Sequence, residues 1–195
     1  VVIVVCVVGI LISSFITLRQ IDIKSIIAYS SISHMSLSCA SMMTCTDIGI
    51  KSSIFILLRH GVISSALFFS VGILYSRFHS RLVTSFGGVS YLIPCFSFFL
   101  FILLLGNIAF PLTSGFISEF LCLNSIFIFN HSLGIIAALS IFFSTGYSML
   151  MFCRLIFGNI KISLLEKTTG GSYRKIDLTV FEQCLLIPFI LIIIF

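Results

Sequence analysis

The chain has 195 residues, of which 59% are hydrophobic and 9% charged, with a formal net charge of +5. A soluble domain carries about a quarter charged residues, so this chain cannot cover its apolar surface in water and its solvent is a bilayer. Its basic residues cluster in loops without aromatic interleaving, which argues for membrane topology and against a nucleic-acid surface.

A membrane-spanning helix needs roughly 20 mostly apolar residues. The first predicted span covers 1–17 and opens inside the apolar run "VVIVVCVVGILISSFI", not on Met, so the chain reads as one piece of a larger protein. The second covers 26–46. In it Ser30, His34, Ser38 and Ser41 recur at i, i+4, i+8 and i+11, a polar stripe down an otherwise apolar helix. The third, 49–76, carries Arg59 and His60 about ten residues in, with Ser53 and Ser64 on the face of His60.

The fourth span, 89–128, is too long for one straight crossing and contains "GNIAFPLTSGF", with Gly106, Pro111 and Gly115. Proline removes a backbone donor and clashes with the preceding turn, so the helix breaks here. Glu119 follows Pro111 by eight residues, roughly 12 Å along a helix, with no loop nearby. A carboxylate at that depth is expensive and functional by default. Gly115, Glu119 and Cys122 share one small face of the helix. The fifth span, 133–158, repeats a hydroxyl stripe at Ser140, Ser144 and Ser148 and carries Tyr147, and the sixth covers 178–195.

Loop charges count the crossings. Arg19 and Lys24, then Arg77 and Arg81, then Arg154, Lys161, Lys167, Arg174 and Lys175 lie in alternate loops, whereas 45–51 holds only Lys51 and 129–132 holds none. Taking 89–128 as one crossing puts the basic loops on one side, as the positive-inside rule expects. The fold class is therefore all-α integral membrane, with about six transmembrane helices in one domain, the fourth discontinuous near Pro111. The seven cysteines have no CxxC spacing and no histidine in ligand spacing, so they read as small buried apolar side chains and offer no metal site.

Histidine passes protons through its two nitrogens, and a chain of hydroxyls, imidazoles and water carries protons through lipid. Glu119, His60 and His34 are the candidate relay; Lys24, Arg59, Ser64, Ser144 and Tyr147 are possible contributors. Arg59 can neutralise Glu119 or snorkel to the interface, and the serines can equally bond back to their own helices or join helices together. No Gly-rich dinucleotide turn, P-loop or cysteine cluster is present to hold a redox cofactor or nucleotide.

The segments "LRQIDIKSIIAYSSISHMS" (18–36), "RHGVISSALFF" (59–69), "YSRFHSR" (75–81), "NIAFPLTSGFISEF" (107–120) and "YSMLMF" (147–152) keep an order and spacing that resemble the antiporter-like membrane subunits of respiratory complex I, NADH:ubiquinone oxidoreductase. Together they favour the chain 4 branch of that family over its two sister branches. The resemblance implies a proton-translocating membrane-arm subunit built from two inverted repeats of five helices, each with a broken helix. By the same resemblance this chain corresponds to the second half. By motif, Glu119 corresponds to the acid of the second broken helix, and His60 and His34 to histidines of the central polar axis. The resemblance also implies NADH, flavin, iron–sulfur clusters and ubiquinone in other subunits, and no cofactor in this chain. The composition, with 22 Phe, many Ile and Ser and no Trp, fits an organelle-encoded protein and suggests the mitochondrial inner membrane, with a bacterial plasma membrane as the alternative. Its implied partners are lipids, a chain supplying the first repeat, and neighbouring antiporter-like subunits. The sequence departs from the family pattern at Leu112, where a second proline is usual, and at Arg59, where an uncharged residue is usual. Subunits of multisubunit sodium/proton antiporters or membrane-bound hydrogenases share these helices. An inactive membrane scaffold is the reading from a different class.

Overall fold

A computed structural model describes residues 1–158 and 177–194, and among these the regular structure is helical, without strands. The elements are α1 (Val2–Arg19), α2 (Ile23–Met42), α3 (Asp47–Phe78), the one-turn α4 (Val89–Leu92), α5 (Pro94–Asn107), α6 (Ser114–Phe129), α7 (His131–Ile156) and α8 (Val180–Ile194). Lys161, Lys167, Arg174 and Lys175 of the predicted basic loop, and Phe195 of the sixth span, lie outside the described residues.

The helix starts follow local chemistry. Asp22 caps α2 by accepting from the Lys24 amide at 3.0 Å, Thr46 caps α3 by accepting from the Gly49 amide at 3.0 Å, and Asn130 caps α7 by accepting from the Ser132 amide at 2.9 Å. α5 opens on Pro94, whose missing donor costs nothing at a first turn. α1, α3 and α7 are each long and apolar enough to cross a membrane by length and composition. α5 and α6, with 14 and 16 residues, span only roughly 21 and 24 Å, each less than a bilayer core.

The break expected near Pro111 is present. The Thr113 amide donates to the Phe110 carbonyl at 2.9 Å, closing a turn with Pro111 and Leu112 at its centre, and Leu112 takes φ 89°. Proline first and positive φ second is the pattern of a type II turn. A second proline, locked near −65°, cannot adopt that φ, so Leu112 goes with a break geometry that paired prolines would not allow.

Five helices close a ring: α1 packs on α2, α2 on α3, α3 on α6, α6 on α7, and α7 back on α1, while α5 and α8 lie against α3. The buried apolar side chains form two clusters, the first of which extends from the ring onto α5 and α8. One gathers Ile23, Ile27, Ile63, Leu74, Phe78, Phe96 and Leu155, and the other Val7, Ile10, Leu37, Ile56, Cys122, Ile126 and Ala137. Along α2, α3 and α7 the first cluster takes one end and the second the other, and buried polar residues fill the layer between them.

The outer surface is equally apolar, with large side chains such as Leu58, Phe98, Phe120 and Phe142 exposed. Lipid satisfies such a surface as well as a core does, which corrects the reading of the cysteines. Among the seven, all free, only Cys122 is buried; Cys39, Cys45, Cys95, Cys153 and Cys184 are exposed. Arg19 ends α1, Lys24 begins α2, Arg77 ends α3, Arg81 follows it, and Arg154 lies in the last turn of α7. Backbone bonds from the Ile23 amide to the Arg81 carbonyl and from the Gly88 amide to the Phe157 carbonyl tie the α2, α3 and α7 ends together, so these cations share one end of the bundle.

Candidate functional site

The layer between the apolar clusters holds four ionisable side chains from three helices, each no more than 6% exposed: His34 on α2, Arg59 and His60 on α3, and Glu119 on α6. A carboxylate and a guanidinium withdrawn from water are tolerated only when paired. Arg59 Nη2 donates to Glu119 Oε1 at 2.7 Å, and His34 Nδ1 lies 3.3 Å from the same oxygen. The His34 and His60 rings pack with centroids 5.2 Å apart and planes tilted by 39°.

The helix break supplies the second partner of Arg59. The last carbonyls of a helix lack intrahelical donors and carry the negative end of its dipole. Arg59 Nη1 donates to one of these, the Gly106 carbonyl at the end of α5, at 2.8 Å. The guanidinium thus bridges the two halves of the broken segment, from the end of α5 to Glu119 in α6. Gly115 makes room for it, because a Cβ at that position would overlap Arg59 Nη1. Of the two fates open to Arg59 from sequence, neutralising Glu119 is the one observed.

His34 also faces the other side of the ring. It lines a small cavity with Ser33, Leu37, Ser140, Ile141 and Ser144, with room for about one water molecule. The Nε2 atoms of His34 and His60 and the Nε of Arg59 are buried without a protein hydrogen-bond partner. Beyond Ser33, whose Oγ lies 3.5 Å from the Tyr147 hydroxyl, the buried Tyr147 extends the polar layer along α7.

Glu119, His34, His60 and Arg59 therefore form one cluster, with Ser144 across the cavity and Tyr147 one hydroxyl further. Two contributors lie elsewhere. Ser64 is half-buried and bonds back to the Gly61 carbonyl at 3.3 Å, and Lys24 is exposed at the start of α2. The hydroxyl stripes serve several ends. Ser30, Ser140, Ser144 and Ser148 donate to carbonyls of their own helices. Ser38 donates to the Ser53 carbonyl across helices, and Ser41 meets Ser52 at 3.2 Å and Ser125 at 2.9 Å. Ser33, Ser52 and Ser125 escaped the reading of motifs, and so did the role of the Gly106 carbonyl, although Gly106 itself reads as part of the break. A backbone carbonyl has no sequence signature beyond the break that frees it, and single serines between stripes carry none.

Among the described residues no cluster of histidine, cysteine and carboxylate could hold a metal ion.

Known proteins share this architecture. NADH-ubiquinone oxidoreductase chain 4 of Acanthamoeba castellanii is 41% identical over 170 residues, covering 87% of this chain and 34% of its own length. NADH-quinone oxidoreductase subunit M of Rickettsia prowazekii is 39% identical over 189 residues, covering 97% of this chain and 37% of its own. The chain thus spans about a third of the length of the curated relatives it matches. A chain in the structure of respiratory complex I from Thermus thermophilus with bound NADH has the same fold, with a TM-score of 0.86 at 23% identity over 99% of this chain and 39% of that one. Residues 1–145 match the transmembrane family described as NADH:quinone oxidoreductase/Mrp antiporter, and to that family the chain belongs.

Proposed function

We propose that this chain is the second half of a proton-translocating membrane-arm subunit of NADH:ubiquinone oxidoreductase, crossing the mitochondrial inner membrane six times with α5 and α6 as the two halves of one crossing. The observation that carries it is the buried Arg59–Glu119–His34 cluster at a helix break, with His60 packed against His34. Relatives at about 40% identity named as chain 4 or subunit M favour the oxidoreductase over the antiporter branch of the family.

The geometry supports a relay in three parts. Glu119 Oε1 and His34 Nδ1 are close enough to exchange a proton directly at 3.3 Å. The opposite nitrogen of His34 then serves the cavity shared with Ser33, Ser140 and Ser144. Arg59, held by both Glu119 and the Gly106 carbonyl, sets the charge of the site: leaning toward the carbonyl frees the carboxylate to take a proton, and returning discharges it. The chain itself carries no redox chemistry in this proposal. NADH, flavin, iron–sulfur clusters and ubiquinone belong to other subunits, and its partners are the chain bearing the first repeat and adjacent antiporter-like subunits.

Glu119→Gln in the assembled complex tests this. Proton pumping per NADH falls, while NADH oxidation by the detached hydrophilic subunits is unchanged. Normal pumping would leave the polar cluster a packing device and the chain a scaffold. Purification without flavin and iron–sulfur subunits would move it to the antiporter branch.

A further inference from the structure

The basic end of the bundle carries a groove with no part in the relay. It holds about 430 Å³ and is lined by Lys24, Phe68, Val71, Gly72, Tyr75 and Arg81. We propose that it binds one anionic phospholipid, its phosphate between Lys24 and Arg81 and an acyl chain along Phe68, Val71 and Gly72. The proposal rests on the chain being membrane-embedded, and is independent of proton transfer at Glu119.

Three observations carry it. First, the two cations are placed by backbone. The Ile23 amide donates to the Arg81 carbonyl at 3.0 Å and the Val83 amide to the Ile21 carbonyl at 2.8 Å, a short antiparallel bridge that sets the start of α2 beside the loop after α3. The Arg81 guanidinium lies 4.5 Å from the centre of the Tyr75 ring, which orients it over the groove mouth. Asp22, the nearest acid in sequence, is occupied capping the Lys24 amide.

Second, the depth is right. Tyr75 lies 15 residues beyond His60 on α3, roughly 22 Å along the helix. With His60 in the central polar layer, that exceeds half of a hydrocarbon core of about 30 Å, so Tyr75 and Arg81 reach the headgroups.

Third, the apolar floor continues. At Phe68 and Gly72 the groove meets a second one of about 590 Å³ between α3 and α8, whose apolar wall of Phe69, Ile73, Phe181 and Leu185 takes the other acyl chain, while the carboxylate at its edge, Glu182, is neutralised by Arg77. A Cβ at Gly72 meets nothing within 4 Å, so the saddle between the grooves is open space. Two cations over a two-lobed apolar trough complement a diacyl phosphate, and basic pockets between helices are known to hold such headgroups.

The test is photo-crosslinking of the intact complex in phosphatidylcholine nanodiscs, doped with diazirine-tailed phosphatidylglycerol or, separately, diazirine-tailed phosphatidylcholine. Phosphatidylglycerol labels the Phe68–Tyr75 segment in preference to phosphatidylcholine, and the preference falls roughly fivefold for each cation removed in Lys24→Gln and Arg81→Gln. The Lys24→Arg, Arg81→Lys pair keeps it. Gly72→Phe fills the saddle and removes labelling by either lipid with both cations intact. Glu119→Gln labels like the wild type, so loss of pumping and loss of lipid are separate results. Equal labelling by the two lipids, a preference that survives removal of both cations, or no labelling by either because a neighbouring protein covers the groove would each overturn the proposal.

Discussion

Gly115→Ala probes the site without removing a charge or a hydrogen-bonding group. The added methyl overlaps Arg59 Nη1 and approaches Arg59 Cζ at 3.0 Å and Ala109 Cα at 3.2 Å, so the guanidinium must leave its seat. Losing the bond from Nη1 to the Gly106 carbonyl costs about 1.5–3 kcal/mol, as expected for a charged donor. Alanine in place of glycine inside α6 returns at most about 1 kcal/mol. If the displaced guanidinium also releases Glu119, the loss approaches that of a broken buried pair, about 3–5 kcal/mol. A net destabilisation of about 2 kcal/mol is expected, or a fall of about 4–8 °C in the melting temperature of this subunit within the complex. Gly146→Ala is the matched control. It also lies inside a helix, but its Cβ meets nothing within 4 Å, so the melting temperature holds or rises. Equal melting temperatures for the two variants, with pumping intact, would show that Arg59 does not sit between Gly106, Gly115 and Glu119.

Other outcomes follow from the same contacts. Arg59→Gln or Glu119→Gln alone strands a buried charge and costs about 3–5 kcal/mol, whereas the double variant recovers most of that stability in a double-mutant cycle yet still fails to pump. Glu119→Gln is the costlier single change, because the stranded carboxylate of Arg59→Gln can take up a proton and a stranded guanidinium cannot shed one. Leu112→Gly relieves a φ of 89° and raises stability by about 1 kcal/mol, while Leu112→Pro must rebuild the turn and lowers it, both read by thermal inactivation of the complex.

What was legible in the sequence had a local cause. Pro111 announced the break because a missing amide acts on its own turn, and Glu119, His34 and His60 stood out because lipid makes every ionisable group conspicuous. What stayed hidden depended on rotation and contact across helices. The i+4 spacing put Ser64 beside His60, but α3 buries Ile56, Arg59, His60, Ile63, Ala66 and Leu67, and Ser64 falls at the margin of that face. The choice of Arg59 between carboxylate and interface turned on a carbonyl turned outward at Gly106 by the helix end and a side chain absent at Gly115, neither of which is a charge pattern. The cysteines misled because hydropathy separates apolar from polar, not core from lipid-facing surface. Lys24 was ambiguous until the backbone bridge to the Arg81 loop placed it at the basic end.

The two apolar clusters that enclose the ionisable layer act as insulators in an electric field. A membrane potential drops across dry dielectric rather than across polar or hydrated layers, so the voltage divides between these two plugs and leaves the four side chains near a single intermediate potential. A charge carried from either face to Glu119 then crosses only part of the field, out of about 2.3 kcal/mol per 100 mV for the whole membrane. Wetting one plug at a time would join the carboxylate electrically to one face and load the entire voltage onto the other. If Glu119 relays protons as proposed, the packing of Ile63 and Phe96 on one side, and of Leu37 and Ile126 on the other, would set how the work against the potential is apportioned between uptake and release.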